Sequence, residues 1–220
     1  MHSWPEGLPP LLAAGRDWLV VDKPAGLAVA PPRRGGTSLE TLLAPLRPQP
    51  RAVHRLDTDT SGCLLLATRP AALRRLAAAF ADGRVHKTYW AVVAPAPAAE
   101  AGVIDRPLAK RSTRARGWWI ALDPAGRAAR TRWQVLARAG NRALIAFQPE
   151  TGRTHQLRVH ATLLAPGCAI VGDTVYGRGE AGGLMLHARS LDVPEGASCV
   201  TAVAPVPARL ADAGVPLPPA

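Results

Sequence analysis

Cysteine is scarce in this 220-residue chain, and the three that occur, Cys63, Cys168 and Cys199, lie far apart. Their number is odd and no Cys-x-x-Cys pair is present. That pattern argues against a disulfide framework and a zinc site, and it points to a reducing cytoplasm. Long apolar runs are missing as well. The stretch 161–172 carries no charge, yet it is too short to cross a bilayer and contains Pro166. The start, Met1-His2-Ser3-Trp4-Pro5-Glu6, lacks the basic and apolar regions of a signal peptide, so no membrane association is expected. Internal repeats and linker-like segments are also absent. The last shortage is of acid: 16 Asp and Glu stand against 27 Lys and Arg, for a net charge of +11 and a pI near 11.1. A fold does not need that excess and is strained by its self-repulsion, whereas a polyanion such as RNA is drawn to it. An Arg-rich proteome is the plainer explanation of the same excess.

What is present is enough apolar residue, 48% and much of it Ala, Leu and Val, for one large domain or two small ones. A strand at 18–21 runs into the turn Asp22-Lys23-Pro24-Ala25-Gly26. A loop, Pro31-Pro32-Arg33-Arg34-Gly35-Gly36, leads to Thr37 or Ser38, either of which can cap a short helix through Leu43 that Pro45 ends. After a strand near 64–67, Pro70 opens a helix over 71–81 with Leu73, Leu76, Ala77 and Phe80 on one face and Gly83 as its stop. The next strand, 88–93, is closed by Pro95 and Pro97. From Asp105 to Arg142 there are ten Lys or Arg and two Asp, interleaved with Trp118, Trp119 and Trp133. Strands near 118–122, 129–137 and 143–147 are expected there, then a helix over 154–164 ending before Pro166, then strands at 184–191 and 200–203. Strands outnumber helices and follow one another, which implies an α+β fold on antiparallel sheets.

The most informative segment is 53–67, and within it His54-Arg55-Leu56-Asp57-Thr58-Asp59-Thr60-Ser61-Gly62. One carboxylate, Asp57, is followed by small hydroxyl residues and a glycine, which let the chain turn sharply and satisfy its own donors, then by an apolar strand. An isolated loop Asp is ordinarily a solvated cap or turn residue. Here the nine positions resemble the His-Arg-Leu-Asp-x-x-Thr-Ser-Gly signature of the RluA-type pseudouridine synthases, which isomerise uridine within RNA. A second segment, Gly152-Arg153-Thr154-His155-Gln156-Leu157-Arg158-Val159-His160, resembles the same family.

The resemblance implies a mixed, mainly antiparallel sheet with flanking helices over 18–210, a short extension at 1–17 without the S4 domain that some relatives carry, and a tail at 211–220. It makes Asp57 the essential carboxylate and Arg158 its pairing partner. It makes Tyr89, in Lys87-Thr88-Tyr89, the active-site tyrosine, able to stack on uracil and to move a proton through its hydroxyl. It gives Arg55 the place vacated by the flipped base, and adds His54, Arg153, His155, Gln156 and Leu186 as substrate contacts. Asp22-Lys23-Pro24-Ala25-Gly26 is architectural. No metal or organic cofactor is implied, and the partner is structured RNA, ribosomal or transfer, met by a cytoplasmic monomer without an obligate protein partner. From the residues alone, Arg153, His155 and Arg158 also read as phosphate contacts at a basic helix start, Tyr89 as strand packing, and Arg55 as a phosphate contact.

Other chemistries fit less well. The Asp57 segment resembles the Asp-Thr-Gly loop of aspartic proteases only superficially, since Asp59 stands where glycine belongs and there is no second copy. A glycosidase would need a second acid with a role, and Asp59 has none. An inactive RNA-binding relative should have lost Asp57, Tyr89 or Arg158.

Overall fold

The computed structural model describes residues 4–32, 35–115, 117–195 and 198–218; Arg33 and Arg34 of the expected loop, and Met1, His2 and Ser3, lie outside the described residues. In chain order the first elements are β1 (Leu11–Ala14), β2 (Trp18–Lys23), α1 (Leu39–Leu43), β3 (Arg51–Ala52), β4 (Ser61–Ala67) and α2 (Pro70–Ala81). Then come β5 (His86–Ala94), β6 (Ala101–Asp105), β7 (Leu108–Thr113), β8 (Gly117–Leu122), β9 (Arg130–Ala139) and β10 (Arg142–Pro149). The last are α3 (Gln156–Ala161), β11 (Ala169–Ile170), β12 (Leu186–Glu195), β13 (Ser198–Val203) and α4 (Ala208–Ala211). The chain forms two compact units, Met1–Lys87 with Ala188–Pro205, and Thr88–His187 with Val206–Ala220.

In the first unit β4 is the axis, and all seven of its residues are buried. Its apolar run, Cys63 to Ala67, is the pattern of a strand without a solvent face. It pairs antiparallel with β2, from Trp18 opposite Ala67 to Lys23 opposite Gly62, while β3 sets Arg51 and Ala52 against Ala67 and Leu66. Residues 1–17, expected as an extension, hold a strand of their own, since β1 pairs with β2. Ser38 caps α1 in a reciprocal box: it accepts from the Thr41 N–H at 3.2 Å, and Thr41 Oγ1 accepts from the Ser38 N–H at 2.8 Å. Helix α2 starts at Pro70 as expected, but its buried line is Ala72, Leu76 and Ala79, with Leu73 and Phe80 flanking it. Alanine reaches the deepest positions because only a small side chain lets the helix approach the sheet closely. Leu65, Leu76, Leu191, Val193 and Val200 form the core.

The second unit is built on β5, β10, β9 and β6, each antiparallel to the next, with β11 on β5. Phe147, Leu144, Ile145, Val92 and Ile170 fill its core, joined by Ala213 and Val215 from the stretch expected to be a tail. Among the described residues, β7 and β8 form a separate two-stranded sheet. The three tryptophans diverge: Trp133 is core, Trp119 is half-buried and Trp118 is half exposed. The helix expected over 154–164 shrinks to Gln156–Ala161. His155 before it adopts a left-handed conformation, φ 52°, and the Gln156 side chain takes the Arg153 N–H at 3.0 Å, so the backbone turns instead of starting a helix earlier. No helix among the described residues is long and apolar enough to cross a membrane.

Gly62 has φ +107°, and a β-carbon there would lie 2.2 Å from the Ala188 carbonyl oxygen. Gly62→Ala is expected to lower the thermal midpoint by several degrees or prevent soluble expression, because neither backbone can yield. Gly152→Ala, where nothing lies within 4 Å, should melt like the native protein, and similar midpoints for both variants would contradict this account.

Candidate active site

Asp57 lies on the loop between β3 and β4, half-buried, with Leu56 before it buried and Thr58 and Asp59 after it exposed. The loop is fastened from beneath. Lys23, fully buried at the end of β2, donates to the carbonyls of Pro24 at 2.8 Å, Leu27 at 2.7 Å and Thr58 at 3.0 Å. The Thr58 carbonyl also accepts from the Gly26 N–H at 2.9 Å, and the Thr60 N–H closes a turn onto the Asp57 carbonyl at 3.1 Å. A buried ammonium is tolerated only when its donors are met, and these carbonyls match its three N–H groups. The turn around Lys23 and the Asp57 loop are thus one piece of structure, with positive charge beneath the carboxylate's neighbour.

His54 belongs to that scaffold. Its Nε2 accepts from the Leu65 N–H at 3.1 Å, and its ring stacks on Phe80 at 4.5 Å and 18°. Burial and then the Lys87 ammonium pull its pKa down to about 3, against a hydrogen bond with the Arg55 backbone, so the ring is neutral. Its acceptor nitrogen is committed to the β4 backbone, at a residue expected to contact substrate. Arg55 beside it is exposed.

In the second unit Tyr89 lies on β5 opposite Phe147, half-buried against the core. Arg158, on α3 and 5% exposed, donates from Nε and Nη2 to the two oxygens of Asp173, each at 2.7 Å. Asp173 Oδ1 also accepts from the Val175 and Tyr176 N–H groups, at 2.8 and 3.0 Å. Burial alone would raise the Asp173 pKa, but Arg158 and the two backbone donors outweigh it and hold the carboxyl below its usual range. Arg158 Nη1 lies 3.2 Å from His155 Nε2, and His155 Nδ1 lies 2.8 Å from the Tyr176 hydroxyl. Because a guanidinium only donates, His155 Nε2 must accept and its proton sits on Nδ1, facing a hydroxyl that already accepts from the Ile120 N–H at 2.9 Å. Trp118 leans over the His155 ring at 5.1 Å.

Gln156 was expected as a substrate contact. It is 3% exposed and its amide is spent internally: Nε2 donates to Arg130 O and Thr131 Oγ1, while Oε1 accepts from Thr151 Oγ1 and the Arg153 N–H. Leu186, 3% exposed, is part of the second unit's core. Arg153 ties Nε to the Ala128 carbonyl at 2.9 Å, holding the loop before β9. Asp173 and Tyr176 escaped the sequence reading, since neither falls in a periodic or resembling segment. The hint was a lone acid within the apolar stretch 168–175. Cys63 and Cys168 are free thiols that burial pushes up to about 12 and about 11, which leaves them unreactive. Among the described residues no group of three or more His, Cys, Asp or Glu is placed to hold a metal ion.

The family model described as RNA pseudouridylate synthase matches residues 17–163, which include Asp57, Tyr89 and Arg158. The chain belongs to the RluA-type family of RNA pseudouridine synthases, isomerases of uridine in RNA. It is 48% identical over 204 residues to an uncharacterized RNA pseudouridine synthase of Zymomonas mobilis, covering 89% of this chain and 93% of that one. It is 39% identical over 166 residues to the ribosomal large subunit pseudouridine synthase C of Vibrio cholerae, covering 72% of this chain but only 50% of the longer relative. The solved structure of human RNA pseudouridylate synthase domain containing 1 superposes with a TM-score of 0.76 at 29% identity, over 93% of this chain and 86% of that one. That of domain containing 4 gives 0.75 at 26%, over 95% and 94%.

The depressed pKa of His54 sets a pH dependence. Between its ordinary 6.5 and about 3 the unfolded chain binds a proton there that the folded chain refuses, so stability falls as pH falls. His54→Gln keeps an acceptor for Leu65 and cannot titrate. From pH 6.5 to 5, urea unfolding should show the native protein losing roughly 1–2 kcal/mol more than the variant. Equal losses would mean that His54 charges freely in the folded state.

Proposed function

We propose that this chain converts uridine to pseudouridine in structured RNA, ribosomal or transfer, with Asp57 as the reacting carboxylate. The observation that carries the reading is the Asp57 loop inside the nine-residue signature, where the half-buried acid precedes Thr58, whose carbonyl accepts from the buried Lys23 ammonium. The names of the longer Vibrio cholerae and Zymomonas mobilis relatives, ribosomal large subunit pseudouridine synthases C and D, support ribosomal RNA as substrate.

The reaction breaks the bond between uracil N1 and the ribose C1′, turns the base, and joins C5 to C1′; C5 loses a proton and N1 gains one. No electrons are gained or lost overall, so no redox cofactor enters the reading. Asp57 attacks the base or the sugar, or stabilises positive charge on the sugar, and is then released. Tyr89 stacks on the uracil, and its hydroxyl moves a proton. Arg158 keeps the reacting carboxylate ionised and oriented. Arg55 fills the gap left by the flipped base. The protein acts as a monomer in the cytoplasm.

Three variants test this on RNA from a strain lacking the gene, with pseudouridines mapped by sequencing. Asp57→Asn should lose activity by more than about 10³-fold with RNA affinity within several-fold of the native protein, since an amide is nearly isosteric but cannot serve as the anion. Substantial turnover by the pure variant would remove Asp57 from the chemistry.

Tyr89→Phe should bind RNA normally and lose at least about 10²-fold in single-turnover rate. Tyr89→Leu should add roughly 1–3 kcal/mol of weakened base binding. Native behaviour in both would make Tyr89 a strand residue only.

A further inference from the structure

We propose that Trp118 is a stacking platform for an unpaired base of the substrate RNA, with Lys110 as the partner of the adjoining phosphate; this rests on the function proposed above. The two-stranded β7–β8 sheet presents one face inward, where Leu108 and Ile120 pack with Ala129, Val159 and Tyr176 in a small core. Trp118 follows Ile120 outward on that same face, opposite Ser112 in the register. Beyond the core it is 49% exposed, the most exposed aromatic among the large hydrophobic residues that reach solvent. An indole left half in water beside that core has a surface the core does not use and can offer it to a partner.

Its neighbours name the contact. The Lys110 ammonium lies 5.1 Å from the indole centre, and the His155 ring lies 5.1 Å away at 33°. His155 is in turn held by Tyr176 and Arg158, so the indole leans on a braced partner and is presented with little freedom to lose on binding. An aromatic face for the base and a cation for the phosphate is the combination that takes a single-stranded nucleotide without reading its edges. The surrounding charge favours the same occupant. Both acids of the segment from Asp105 to Arg142 are already paired, Asp105 with Arg130 and Asp123 with Arg111, which leaves a surplus of cations for a polyanion. Trp133, in the same segment but 8% exposed, shows what a structural tryptophan looks like here.

The test compares the native protein with Trp118→Leu, Trp118→Phe and Lys110→Gln. The probes are a single-stranded RNA of about ten nucleotides and the same oligonucleotide made abasic. Trp118→Leu should weaken the base-bearing probe about ten-fold and leave the abasic one unchanged, and Trp118→Phe should retain most of the affinity. Lys110→Gln should weaken both probes and reduce the slope of log affinity against log salt by about one. On RNA from the strain lacking the gene, Trp118→Leu should raise the half-saturating RNA concentration while the saturating single-turnover rate stays within about two-fold. Should the Leu variant fail to fold, quenching of the indole fluorescence by the base-bearing but not the abasic probe, with Trp118→Phe as the blank, decides the matter. Equal binding of both probes by the native protein and Trp118→Leu overturns the platform, as does an equal loss on both. If the native protein forms no pseudouridine, the proposed function fails while the oligonucleotide comparison still stands.

Discussion

The buried ammonium of Lys23 is the interaction on which the first unit's chemistry depends. A charge with no exposure is expensive unless its donors are satisfied, and here the acceptors are backbone carbonyls from two different loops. Neither loop is regular secondary structure, so neither could hold its shape through a ladder of its own. Fastening the Thr58 carbonyl fixes the residue that follows Asp57, and the strand pairing of Lys23 with Gly62 fixes the far end of the same loop. The acid is therefore positioned by backbone atoms, which vary far less than side chains.

The second unit solves a similar problem with opposite charges. Arg158 is almost wholly buried, and Asp173 answers it with both oxygens in a fork-to-fork arrangement. Two more backbone donors complete the carboxylate, so the pair has its hydrogen bonds met on both sides. The consequence is a guanidinium whose plane is set, with its remaining nitrogen facing His155 and its face near the Tyr176 ring at 5.3 Å.

Much of this was legible in the chain, and the part that was not has physical reasons. Strands with strong patterns, such as β4, β8, β9 and β10, stood out because burial or alternation is written in their residues. Short strands such as β3 and β11 exist only because a partner edge is there to receive two residues, and nothing local announces them. The helix around 156–161 was overextended because hydrophobic spacing is blind to a left-handed His155 and to a side-chain amide that competes for the first N–H groups. At the site, Asp57 and Arg158 were visible through resembling segments, whereas Asp173 and Tyr176 matter only through where the fold carries them. Gln156 shows the converse: it sits inside a resembling segment, yet its amide is consumed by an internal network.

The β7–β8 hairpin packs Leu108 and Ile120 with Ala129, Val159 and Tyr176 and, among the described residues, joins no larger ladder. Its outer residues can therefore change without disturbing the packing of the main sheet, because few of the fold's contacts run through them. In such a design the residues proposed above to meet RNA lie outside the ladder of the main sheet.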